Sequence, residues 1–495
     1  MPANAAAQES SADPALFLRL AASADIAALK RHPALKALKP LRWRKSRQAL
    51  RLLDSAEASL HAAGWLCAAI DDAPLLLPLQ TPSPAPPAIG DLGALQILAR
   101  GALTSQSCTL PFGKLHWHEA ELQGRPYRAL QIEGPRPQSL ALAIALSADI
   151  DCAWDGAHPL LVLAQQLGLI AARPLWANQI ALELPQDAAE FEAVNALQAC
   201  GAMLRHSLTQ LDGNIACLRD ARDSEGVHQM RVALRRLRSV LALHKTLLPA
   251  AELDAARRDL AWLNEPLGRR RDLDVFVEET LAPLHRALPD LAALDDLRIL
   301  LEERRQAAQR ALVSAFESAR FARLRLALEH LSHLRPGDGE TGDATPPPAL
   351  QHAALLLRRR RRKLKKLVAR LDALNEPELH ELRILAKKLR YAVEFYRPFF
   401  TRLGKMAGKT SGKASGKAHM RALAALQDAL GALNDAAVGN DLLRNLLGQP
   451  AEDPAAAAIA GWFAARQHDQ LASLPAAWAA YARLKPFWKH ALPAD

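Results

Sequence analysis

The C-terminal part of this 495-residue chain contains the same pattern twice, and that duplication limits the folds open to it. The segment His228-Gln-Met-Arg-Val-Ala-Leu-Arg-Arg-Leu-Arg238 aligns without gaps to His380-Glu-Leu-Arg-Ile-Leu-Ala-Lys-Lys-Leu-Arg390. His228/His380, Arg231/Arg383, Leu237/Leu389 and Arg238/Arg390 are identical, and Arg235-Arg236 keeps its charge as Lys387-Lys388. Leu263 to Val275 (LNEPLGRRRDLDV) aligns in turn to Leu426 to Val438 (LQDALGALNDAAV), with Gly268 over Gly431 and Asp272 over Asp435. The two motifs start 35 residues apart in the first copy and 46 in the second. The surplus fits Gly404 to Ala418 (GKMAGKTSGKASGKA), whose Gly-Lys pattern reads as a mobile basic loop. Two homologous helical units facing each other across a pseudo-twofold axis follow from this pattern.

At about 100° per residue, His228, Arg231, Arg235 and Arg238 share a helix stripe roughly 80° wide. Met230, Leu234, Leu237 and Leu241 form the neighbouring stripe, which must be core. The second copy repeats this, with His380, Arg383, Lys387 and Arg390 beside Leu382, Ala386, Leu389 and Val393. A cation row at the edge of a core faces a groove or another helix, and it repels itself unless an anion is present. Neighbours on the row are about 5–6 Å apart, so successive phosphates of an extended polymer can each meet one. The run Arg358 to Arg362, continued by Lys363, Lys365 and Lys366, adds a third basic face carrying Arg358, Arg362, Lys365 and Lys366. Asp272 and Asp274 follow Arg269 to Arg271 and suit an orienting role, as does Asp435 in the second copy. A solvated charged face is the ordinary explanation of one such stripe; its duplication is what favours a ligand.

The charge balance agrees. Of the net +11, residues 1–200 contribute −2 and residues 201–495 contribute +13, so a polyanionic partner belongs on the C-terminal part. Five scattered cysteines without CxxC spacing argue against disulfides and zinc, and for a reducing, cytoplasmic setting. His228 and His380 have no second ligand at metal spacing. No apolar run is long enough for a membrane span, and the N-terminus lacks the features of a secretory signal.

Before about residue 190 the pattern is mixed. LLLPLQ, ALQILAR, KLHWHEAEL and RALQIEG read as strands, and 50–63 and 157–168 as helices, giving an α+β domain over 1–190. In KLHWHEAEL, strand alternation puts His116 and His118 on one face, more simply a polar strand face than a metal site. From 196 to 490 the chain reads as all-helical, in halves 196–334 and 350–490 joined by a polar linker at 335–349. Thr81 to Ile89 is a second, proline-rich break.

HQMRVALRRLRS, LGRRRDLDVF, LHELRILAKKLRY and LQDALGALND resemble, in order, the motifs of the CHAD domain, the conserved-histidine α-helical domain. The resemblance implies two four-helix bundles with pseudo-twofold symmetry that bind inorganic polyphosphate without catalysis or cofactor. It places His228, Arg231, Arg235, Arg238, His380, Arg383, Lys387 and Arg390 on the polymer, and we add Arg358, Arg362 and Lys366 from the third basic face. Polyphosphate-metabolising enzymes and polyphosphate granules are the implied company.

The N-terminal segment stands where a CYTH domain, the triphosphate-tunnel fold, often precedes CHAD. It resembles a degenerate copy, because Ala15-Leu-Phe17-Leu-Arg19 stands where that family carries Glu-x-Glu-x-Lys. Glu119, Glu121 and Glu133 fall short of the converging carboxylates that metal-assisted hydrolysis needs. Polyphosphate binding without catalysis is therefore the expected function. A tunnel-type triphosphatase and a nucleic-acid binder are the alternatives, the latter disfavoured by the scarcity of aromatic side chains beside the basic stripes.

Overall fold

The computed structural model describes residues 14–38, 41–79, 86–87, 94–176, 181–219, 223–338, 345–406, 411–447 and 453–491, with the backbone alone at 372, 411–414 and 432–435. Two compact units divide it. One gathers residues 1–176, 209–229 and 313–333; the other gathers 177–208, 230–312 and 334–495.

The strands are β1 (Leu16–Leu20), β2 (Arg44–Asp54), β3 (Trp65–Ile70), β4 (Ala73–Pro78), β5 (Gln96–Leu110), β6 (Gly113–Leu122), β7 (Arg125–Glu133) and β8 (Cys152–Ala153). They form an eight-stranded antiparallel sheet in the order β4-β3-β2-β5-β6-β7-β1-β8. Asp71 and Asp72, at φ 47° and 66°, make the two-residue turn between β3 and β4, and Gln123-Gly124 makes the one between β6 and β7. Short helices α1 (Ile26–Arg31), α2 (Pro33–Lys36) and α3 (Ser59–Ala62), then α4 (Arg136–Asp149), α5 (Pro159–Gln166) and α6 (Ala188–Glu192), complete this part of the chain.

The 50–63 helix is corrected. Residues 50–54 end β2, where Leu50 and Leu52 point to one face of the sheet and Leu53 to the other. An aliphatic run buried on both faces imitates a helix in sequence.

Leu160, Val162 and Leu163 of α5 share one buried cluster with Leu50, Leu52, Leu66, Ala68, Leu77, Ala99, Leu122, Tyr127 and Ala129. One short helix reaches six strands only if the sheet curls around it. The sheet is thus a curled half-barrel, consistent with the tunnel-like domain expected from the sequence, and α5 occupies its inner face.

From residue 196 the chain is helical. The helices are α7 (Ala196–Asp212), α8 (Ser224–Leu243), α9 (Ala250–Val275), α10 (Ala282–Ala287), α11 (Ala293–Phe316), α12 (Ala319–Ser332), α13 (Ala349–Val368), α14 (Glu376–Met406), α15 (Ser411–Ala429), α16 (Gly431–Leu447) and α17 (Pro454–Ala482). A π-helical turn, Phe276–Leu281, joins α9 to α10. The predicted core stripes hold: Met230, Leu234, Leu237 and Leu241 on α8 are fully buried, as are Leu382, Ala386, Leu389 and Val393 on α14.

The Gly-Lys reading needs correction. Ser411 to Ala418 opens α15 instead of forming a loop, since small residues and lysines tolerate a helix once one face has packing. Residues 407–410, most of Thr81 to Ile89, and 339–344 of the linker lie outside the described residues.

The two copies meet reciprocally within the second unit. Ala196 N–H donates to the Pro347 carbonyl at 2.8 Å, and Ala349 N–H to the Val194 carbonyl at 2.9 Å. The two bonds make an isolated antiparallel bridge, Asn195 to Pro348, that ties the start of one copy to the start of the other.

Candidate anion-binding site

α8 and α14 carry the duplicated motifs, and each turns its leucine stripe into the core. That choice fixes where the neighbouring stripe goes. Arg231, Arg235, Arg383, Lys387 and Arg390 come out half-buried, and Arg238 exposed.

The two rows converge at Lys387. Its ammonium is pushed down to about 8, first by burial and then by Arg235, Arg383, Arg231 and Arg238. Three of those arginines belong to the other copy of the motif, so the rows act on one another at close range. Arg231 is also pushed down, mainly by burial, and its Nη2 lies 3.2 Å from Asp272 Oδ1.

Gly268 of α9 allows that geometry, because a Cβ there would stand 2.8 Å from Arg231 Nη1. Arg235 Nε and Arg390 Nε are buried and meet no acceptor among the described residues. A cluster that crowds cations, lowers an ammonium and leaves guanidinium donors unspent has the chemistry to accept an anion.

Not every predicted residue joins this cluster. His228 is half-buried on α8, three residues before Arg231, and His380 is exposed on α14, three residues before Arg383. Arg390 donates to Gln427 Oε1 of α15. Arg358 and Arg362 line a different cavity of about 360 Å³, with Arg361, Lys365, Pro486, Trp488 and Lys489; Lys366 is exposed and outside that lining. On α13, Arg360 turns the other way and donates to the Lys388 carbonyl, its own guanidinium pushed down to about 10 by burial.

Asp272 lies against Arg231. Asp274, fully buried, holds Arg270 and lies 3.0 Å from Arg305. The side chain of Asp435 lies outside the described residues. Sequence reading missed Arg361 and Lys489. Arg361 sat inside a charge run whose exposed members look the same, and Lys489 is 124 residues beyond Lys365.

The helical segment from residue 202 to residue 444 matches the family model of the CHAD domain. Residues 202–444 are a CHAD domain. The solved CHAD domain of the plant Ricinus communis is similar over 64% of this chain and 98% of its own, at 29% identity and a TM-score of 0.50. PptA from Streptomyces chartreusis is similar over 59% of this chain and 99% of its own, at 20% identity and a TM-score of 0.40. No curated protein matches the chain in sequence. The CHAD segment includes α8, α14 and the convergent basic rows.

In the first unit the inner face of the half-barrel carries Phe17, Arg19, Ser105, His116, His118, Gln131 and Glu133, by register with the inner residue Ala129. His116 and His118 stack at 5.4 Å, as the alternation predicted. They sit in a chain of polar contacts: Ser105 Oγ to His118 Nδ1 at 2.8 Å, His118 Nε2 to Gln131 Oε1 at 2.7 Å, and Gln131 Nε2 to Glu133 Oε1 at 2.7 Å. Burial pushes both imidazoles down, towards the neutral form. Arg19 donates to Asp155 at 2.9 Å, and so does the Tyr127 hydroxyl at 2.8 Å. Glu119 and Glu121 alternate with His118 and Ala120 and therefore face outward, where Glu119 lies 3.3 Å from Arg128. Among the described residues no three His, Cys, Asp or Glu side chains are grouped to hold a metal, and no helix is long and apolar enough to cross a membrane.

Proposed function

We propose that the CHAD domain binds inorganic polyphosphate along the two convergent basic rows and performs no chemistry on it. The carrying observation is Lys387, half-buried in the field of Arg231, Arg235 and Arg238 from one copy of the motif and Arg383 from its own. A linear polyanion with one charge per phosphate relieves that repulsion along its length, whereas a single small anion would relieve one point of it. The resemblance to the CHAD family supplies the identity of the polymer. Binding without hydrolysis accords with Glu119 and Glu121 facing out of the half-barrel and with α5 filling its inner face. Residence on polyphosphate granules, beside polyphosphate-metabolising enzymes, follows from the same reading.

The test is a titration of labelled long-chain polyphosphate into the parent and an Arg231→Ala/Arg383→Ala variant at two salt concentrations. Tight binding weakened by the substitutions and by salt supports the reading, since each neutralised phosphate releases counterions. Binding indifferent to both would sink it. A metal-dependent phosphate-release assay, and competition by single-stranded RNA, test the tunnel-triphosphatase and nucleic-acid alternatives.

A further inference from the structure

The cavity beside α13 stands apart from the polymer groove. Among the described residues its lining comes from α13 and the 486–489 segment, with none from α8 or α14. Arg358, Arg361, Arg362 and Lys365 follow the i, i+3, i+4, i+7 spacing of one helix face, and Lys489 closes the opposite side. Five cations therefore surround about 360 Å³, and no carboxylate is among the described residues that line it.

The wall is fixed. Arg361 Nη2 donates to the Leu484 carbonyl at 2.9 Å, and its guanidinium lies 5.8 Å from the Tyr481 ring centroid. Trp488, at 1% exposure, is wedged edge-on against His419 and Phe487. Arg361 Nε is buried and meets no acceptor among the described residues. Arg358, Arg362, Lys365 and Lys489 are exposed, and the held Arg361 and Trp488 give them a fixed floor with a donor left over, which a solvated charge run lacks.

We propose that this cavity is a second anion site, one that takes a compact oligophosphate of a few units. Charge density selects that class. An acidic peptide brings one charge per residue and outgrows the cavity before it answers five cations. A phosphate chain brings one charge per phosphate, with oxygens spaced for guanidinium forks. The ligand is either a free oligophosphate or the end of a long chain held elsewhere on the domain. The site uses none of the residues of the α8 and α14 rows on which the proposed polymer binding rests, so the two readings can fail separately.

Inorganic tripolyphosphate is the probe, titrated calorimetrically into the full chain. Lys365→Glu/Lys489→Glu reverses two charges that have no packing role, and is expected to weaken tripolyphosphate binding at least tenfold with an unchanged circular dichroism spectrum. The groove variant Arg231→Ala/Arg383→Ala is expected to retain it. Unchanged affinity in Lys365→Glu/Lys489→Glu overturns the proposal, and so does loss confined to the groove variant. If long-chain polyphosphate binds through the groove in either case, only the cavity inference has failed. Long chains competing in proportion to their ends would identify the chain terminus as ligand. Competition absent at matched end concentration would identify free oligophosphate.

Discussion

His244 Nε2 and the Tyr396 hydroxyl meet at 2.7 Å, and the two residues occupy the same position of the repeat, 152 residues apart like His228 and His380. Equivalent side chains touch each other only where a twofold axis passes between them, so this contact marks the axis relating α8 to α14. The other imidazole nitrogen lies 2.9 Å from the Val240 carbonyl, which can only accept, so Nδ1 carries the proton and Nε2 accepts from the tyrosine. Tyr396→Phe removes the donor and leaves a fully buried acceptor unpaired. We expect a loss of about 1–3 kcal/mol in chemical denaturation, with the fold retained. A loss near zero would show that the bond contributes nothing net.

The same histidine predicts how stability responds to acid. Burial, then the neighbouring His352, pushes His244 down from 6.5 to about 3. In the unfolded chain it titrates near its ordinary value, so between pH 6.5 and 3 the unfolded state binds the extra proton. Stability is therefore present above about pH 6.5 and falls as pH drops through that window. His244→Gln, which cannot titrate, should flatten the dependence of Tm on pH between about 6.5 and 4. An unchanged slope would assign the acid sensitivity to other groups.

How much of this was legible in the sequence depends on the range of the interaction. The stripes of α8 and α14 were legible because helix periodicity is local: four apolar positions per copy had to be core, and the cations beside them had to flank it. The convergence of the two rows followed from the duplication. The buried ion pair between Arg236 and Glu394 was not legible, since Arg236 looks like its exposed neighbours and its partner is 158 residues away. Its second-copy equivalent, Lys388, is exposed, so the structure breaks the symmetry that the alignment suggested. β2 was misread because a strand buried on both faces loses its alternation, and the start of α15 because composition alone suggested a loop. The cavity beside α13 depends on a chain segment more than 120 residues downstream, which no local pattern announces.

Gly268 separates packing from binding. In a helix interior, alanine is favoured over glycine by about 0.8–1.0 kcal/mol. The added Cβ would meet only the mobile end of Arg231, 2.8 Å away, and not backbone. Gly268→Ala should therefore leave stability level or raise it, while displacing Arg231 from Asp272 and weakening polyphosphate binding several-fold. Equal losses in stability and affinity would mean that the glycine serves the fold alone.

Lys387 gives the pH dependence of binding. With the site empty, its ammonium titrates near 8, held down by burial and by the surrounding arginines. A bound polyanion stabilises the charged form and raises that value, so the complex takes up a proton wherever pH lies between the two. Affinity is then fully present below about pH 8 and declines as pH rises, by up to tenfold per pH unit over that interval. Lys387→Arg should bind with a flat profile from pH 7 to about 9, because even an arginine lowered by burial, as Arg360 is to about 10, stays charged there. Calorimetry in two buffers of different ionisation enthalpy would count the proton directly near pH 8.5, about half a unit above the empty-site value. Uptake by the parent and none by the variant places the polymer on the convergent rows. Equal uptake in both would move the titrating group, and the polymer with it, away from Lys387.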